Sequence, residues 1–103
     1  GALKALLTEQ KMQNLVSGFE EEVVNLLKVL PDHLEAEDLG PLAALSHKSV
    51  GSAGMIGAHS LQQELRALEQ AAKAGDTNGV KANASAVQLA WPATQAAIRA
   101  LTT

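Results

Sequence analysis

The sequence predicts an all-α protein: an antiparallel up-down-up-down four-helix bundle with a short leading N-terminal helix. Three observations carry that expectation. Apolar residues recur at alternating spacings of four and three along four separate stretches, the period of a helix with one buried face. Nineteen alanines and sixteen leucines among 103 residues favour helix, whereas aromatic residues make up 2% and β-branched residues are scarce. Only a few residues separate the stretches, and a short connection cannot carry the chain back along a helix, so successive helices must be antiparallel neighbours.

Each element has its own signature. Leu3, Leu6 and Leu7 suggest the short leading helical turn, with Thr8 as a candidate cap. The first long seam runs Met12, Val16, Phe19, Val23, Leu26 and Leu30, six positions on one face of a helix of roughly 20 residues, about 30 Å long. Glu20, Glu21, Glu22 and Lys28 fall largely off that stripe and read as a solvated face, and Pro31-Asp32 is expected to end the helix. The second seam is Leu42, Leu45, Ser49, Ser52 and Ile56, with Asp38 as cap, Pro41 in the first turn and Gly57 closing it. Ser49 and Ser52 are expected to bond back to carbonyls one turn earlier. The third is Leu61, Leu65, Leu68 and Ala72, with Ser60 and Gln63 spaced as a capping box and Gly75 beyond its end. The fourth is Val80, Ala84, Val87, Trp91, Thr94, Ile98 and Leu101, capped by Asp76 or Thr77, with a kink expected near Gln88 to Trp91 because Pro92 removes a backbone hydrogen bond.

Composition narrows the function. The length corresponds to a single domain, 1–103. Gly1-Ala2, with no Met, reads as a cloning scar or as an excision point in a longer protein. With no cysteine the chain has no disulfide, zinc ribbon or thiol chemistry, which is compatible with a cytoplasmic location. A net charge of −3, the lack of a basic block and the near absence of stacking aromatics argue against nucleic-acid binding. No stretch is long and apolar enough to span a bilayer, so no membrane contact is expected of this domain.

The three histidines are the side chains that titrate nearest neutrality, and they bound the search for chemistry. His33 falls in the Pro31 to Asp38 connection and His59 at the start of the third helix; neither has another His, or a carboxylate set, at ligand spacing on the same face, and no metal site is expected. His47 differs in its surroundings. Its neighbours at helical spacing are Ala43, Ala44, Val50, Gly51 and Gly54, placed opposite the Leu42/Leu45/Ile56 stripe. Two glycines on one face of a short helix cost roughly 1 kcal/mol each against alanine, and here they clear a shallow platform around an imidazole. Close helix packing explains the same glycines equally well. No nucleophile elbow, phosphate loop or carboxylate pair is present, so a self-sufficient enzyme is not expected.

The stretch Ser46-His47-Lys48-Ser49-Val50-Gly51-Ser52-Ala53-Gly54-Met55-Ile56-Gly57-Ala58, followed by Leu61, Leu68-Glu69 and Ala74-Gly75-Asp76, resembles the histidine-containing phosphotransfer (HPt) domain. Members read His-x-Leu-Lys-Gly-Ser-Ala-x-x-Leu-Gly-Ala, then Leu, Leu-Glu and Gly-Asp. The motif covers about a third of the chain, and the helical pattern extends the likeness over nearly all of it. The resemblance implies that His47 is the phospho-acceptor of a phosphorelay carrier, exchanging a phosphoryl group with aspartates of response-regulator receiver domains. It also implies that the receiver supplies Mg²⁺, that Gly51 and Gly54 give it room, and that the domain is a cytoplasmic monomer, either free-standing or part of a hybrid sensor histidine kinase. Two positions depart from the pattern: the lysine three residues after the histidine is Val50, and the leucine two residues after it is Ser49. Lys48 is an imperfect substitute, about 100° around the helix from His47. The alternative function is a helical module that docks a receiver or kinase without carrying phosphate; a structural or metal-holding bundle is a third.

Overall fold

The computed structural model describes residues 2–102; the first residue of the Gly1-Ala2 pair therefore lies outside the described residues. Among these residues the secondary structure is entirely helical, in the order α1 (Ala2–Glu35), α2 (Gly40–Ile56), α3 (His59–Lys73) and α4 (Thr77–Ala100). Helix α2 packs between α1 and α3, α3 packs on α4, and α4 closes the ring on α1. With connections of two to four residues, this is the expected antiparallel four-helix bundle.

The seams of α1, α3 and α4 face inward as their periodicity requires. Val16, Phe19, Val23, Leu26 and Leu30 of α1 meet Leu61, Leu65, Leu68 and Ala72 of α3 and Val80, Ala84, Val87, Trp91 and Ile98 of α4 in one core. Met12 is half-buried against it. Phe19 and Trp91 pack edge to face with ring centroids 5.8 Å apart, joining α1 to α4 through both aromatic residues of the chain. Leu101, expected on the α4 seam, is exposed.

Several local expectations are overturned. There is no separate leading helix: α1 is continuous over 34 residues. Thr8 does not cap it but sits inside it, donating from Oγ1 to the Lys4 carbonyl at 3.0 Å. Pro31 does not end α1 either. Proline costs a helix one backbone hydrogen bond, but the turn beyond it is held by a terminal motif. Asp38 N–H donates to the His33 carbonyl and Glu37 N–H to the Leu34 carbonyl, with Glu37 left-handed at φ 52°. The same six-to-one bond ends α2, from Ala58 to Ala53 with Gly57 left-handed, and α3, from Asp76 to Ala71 with Gly75 left-handed. Neither the Asp38 cap nor the Ser60/Gln63 box forms, because Leu39 and Ala58 occupy the N-cap positions and make no side-chain cap bond. Asp76 does cap α4, accepting from Gly79 N–H at 2.9 Å. Pro92 lies within an uninterrupted α4, with Gln88 and Pro92 both exposed, so the carbonyl left without a donor is on the wet side.

The seam of α2 is rotated from its expected register. Leu42, Ala43, Ser46, Ser49 and Ala53 are buried, whereas Leu45, Ser52 and Ile56 are only half-buried. Apart from Leu42, the inward stripe is made of small residues, on a helix that packs between α1 and α3. Ser46 and Ser49 satisfy their hydroxyls on the Leu42 and Leu45 carbonyls at 2.7 and 3.0 Å. Ser52 instead donates to Glu22 Oε1 of α1 at 3.1 Å. The acidic run is thus only partly a solvated face: Glu22 is half-buried, and half-buried Glu20 accepts two bonds from Arg99 of α4, at 2.9 and 3.3 Å.

Candidate functional site

Rotation of α2 determines what surrounds His47. The imidazole stands on the outer face with 74% of its side chain exposed, inclined toward α3, where Nδ1 lies 2.8 Å from Glu69 Oε2. Glu69 is a carboxylate on the buried side of α3, with 8% of its side chain exposed. The same Oε2 accepts from Lys73 Nζ, one turn further along α3, also at 2.8 Å. That bond is the main reason the Glu69 carboxyl is held below its ordinary value of 4.5; burial opposes it, and the bond to His47 adds to it. Glu69 is therefore ionised at neutral pH and can only accept. Nδ1 is then the donor of this bond, and in the neutral ring Nε2 is the nitrogen that keeps its lone pair.

The predicted platform divides in two. Gly51 and Ala44 are exposed, and a Cβ built at Gly51 meets nothing within 4 Å. On the α3 side the expectation of an open surface fails. Ala43 is in the core, and Val50 is half-buried against it. A Cβ at Gly54 would lie 2.6 Å from Gln62 Nε2, which donates to the Val50 carbonyl. Gly54 thus serves α2–α3 packing, because the Gln62 amide occupies the space its missing side chain leaves. Lys48 lines a shallow cavity against α1 with Gly18, Glu21, Glu22 and Asn25, on the flank of α2 away from Glu69.

Outside this cluster, His33 sits in the last turn of α1 rather than in a connection, with Nδ1 3.7 Å from Asp38 Oδ2. His59 opens α3 and borders an apolar groove lined by Ile56, Ala58, Ala97 and Ile98. No three His, Asp or Glu side chains converge as a metal-ligand set among the described residues. No described helix is long and apolar enough to cross a membrane.

Glu69 and Lys73 are the members of the cluster that a search for chemistry around His47 passes over. They lie on another helix, 22 and 26 positions away, where one-helix spacing rules cannot reach. A signal existed nonetheless: Glu69 directly follows Leu68 on the inward flank of α3, where an unpaired carboxylate would be costly.

Fold and site together define a class: a helical bundle that presents one exposed, oriented imidazole backed by a buried carboxylate. The Hpt domain family model matches residues 14–102, and the chain belongs to that family. The family performs histidine phosphotransfer in phosphorelays, together with receiver domains and kinases, as a phosphocarrier rather than a kinase. No curated protein and no solved structure matches the chain.

Proposed function

We propose that His47 is the phospho-acceptor, exchanging a phosphoryl group between its Nε2 and the phosphorylated aspartate of a receiver domain. The observation that carries this reading is the 2.8 Å bond from Nδ1 of an exposed imidazole to buried Glu69, which in the neutral ring puts the proton on Nδ1 and leaves Nε2 as the nucleophilic nitrogen. In the forward step the Nε2 lone pair attacks phosphorus in line. The phosphorus–oxygen bond to the receiver's aspartate breaks, its electron pair returns to the carboxylate, and no proton moves. The imidazole becomes an imidazolium bearing the phosphoryl group, and the charge that develops at Nδ1 faces an anion already in place. Glu69 thus selects the tautomer and stabilises the product ring, while Gly51 leaves open surface for the receiver's approach. The Mg²⁺ for this step belongs to the receiver in this proposal, since transfer relies mainly on positioning and charge neutralisation. The test is single-turnover transfer from a labelled receiver in Mg²⁺ to the wild type and to His47→Gln. Label on the wild type alone supports the reading; equal labelling of both overturns it. Receiver binding without any label would favour a docking module, the role that Val50 in place of the usual lysine raises.

A further inference from the structure

Resting on the reading of His47 as acceptor, we propose that Lys73 supplies the positive charge that meets the phosphoryl group, in place of the lysine that position 50 lacks. A phosphoryl group brings a charge of roughly −1.5 to −2 near pH 7 to an exposed face. Helix α2 offers it no cation: Ala44, Val50, Gly51 and Gly54 are uncharged, and Lys48 lines the cavity against α1. Lys73 alone among the basic side chains of the described residues shares a bonded atom with the imidazole, because its ammonium and His47 Nδ1 meet on Glu69 Oε2 at 2.8 Å each. Its side chain is 63% exposed, so the four-carbon stem is free to turn outward without disturbing packing.

The resting arrangement stores the ammonium one carboxylate away from the reacting nitrogen. When Nε2 takes the phosphoryl group, the ring becomes cationic and its Nδ1–H bond to Glu69 strengthens, so Glu69 no longer needs the lysine for charge balance. The ammonium then turns to the phosphoryl oxygens. No bond is made or broken by Lys73 itself, which touches the transferred group as an electrostatic partner.

A donor needing no protein partner tests this. Potassium phosphoramidate transfers its phosphoryl group as the Nε2–phosphorus bond forms and the donor's nitrogen leaves as ammonia. Phosphorus NMR then follows the phosphohistidine through a pH titration in the wild type, Lys73→Met, Lys73→Arg, the Lys73→Met/Val50→Lys double variant and, as control, Arg66→Met, which removes the other exposed cation of α3. In Lys73→Met the phosphoryl resonance is expected to titrate about half a unit higher than in the wild type, because a neighbouring cation favours the dianion. Lys73→Arg keeps the wild-type midpoint, Val50→Lys restores it, and Arg66→Met leaves it unchanged. A midpoint in Lys73→Met identical to the wild type overturns the role of Lys73, as does a shift in Arg66→Met instead. Absence of any phosphohistidine that His47→Gln removes overturns the acceptor reading itself and takes this inference with it.

Discussion

At the scale of single residues, the proposed chemistry turns on one oxygen. Glu69 Oε2 accepts from His47 Nδ1–H and from the Lys73 ammonium, so one carboxylate orients the imidazole and holds a cation at once. Replacing Glu69 by Gln keeps an acceptor but removes the charge and allows the amide to present its donor to the ring instead. Transfer to His47 is expected to slow by at least about tenfold, as when the orienting carboxylate of other imidazole sites is lost. Single-turnover labelling measures the rate, and nitrogen-15 shifts of the ring report the tautomer directly. The same carboxylate shapes the acid limb of stability. Its folded value is depressed below 4.5, so its contribution is fully present above that ordinary value and is lost as pH falls below it through the lower folded value. Glu69→Gln should flatten that part of the urea-midpoint profile.

At the scale of elements, helix ends and helix faces carry separate tests. Helices α1, α2 and α3 all stop with a residue in the left-handed region, and only α1 uses a side-chain-bearing residue, Glu37, there. The left-handed conformation costs a non-glycine residue roughly 1–2 kcal/mol. Glu37 is exposed, so Glu37→Gly removes that strain without losing packing and should stabilise the bundle by about 1 kcal/mol after the added chain entropy of glycine is subtracted. Thermal unfolding would show the transition rising by several degrees. The two glycines of α2 should behave differently. Gly51→Leu projects into open space and, by replacing a helix-interior glycine, is expected to raise the thermal midpoint by several degrees while weakening receiver binding. Gly54→Leu pushes into the Gln62 amide and is expected to destabilise the α2–α3 contact. If both substitutions changed stability alike, the division of the face into an open half and a packed half would be wrong.

At the scale of the whole molecule, one dimension stands out. The molecule measures 52 by 21 by 19 Å, and its length is that of α1, about 50 Å for 34 residues. Helices α2, α3 and α4 have 17, 15 and 24 residues, so they cannot flank all of α1, and every residue from Ala2 to Lys11 is exposed. Leu3, Leu6 and Leu7 accordingly have no place in the core. Removing residues 2–11 should change the free energy of unfolding by no more than about 0.5 kcal/mol while lowering helical ellipticity, which denaturant titration followed by circular dichroism measures. The sequence by itself determined the four helices and three of their buried faces, and it marked His47 as the histidine proposed as acceptor. Periodicity is a local property, and Met12 to Leu30 or Val80 to Ile98 display it without help from neighbours. Tertiary structure decided the facing of α2, where Ser46 and Ala53 are buried ahead of Leu45 and Ile56 because the docking of α1 and α3 on either side, and not the periodicity of α2 itself, selects the flank that faces inward. It also decided the site, since the partner of His47 lies on another helix, and only the docking of α3 against α2 brings Glu69 and Lys73 to the imidazole.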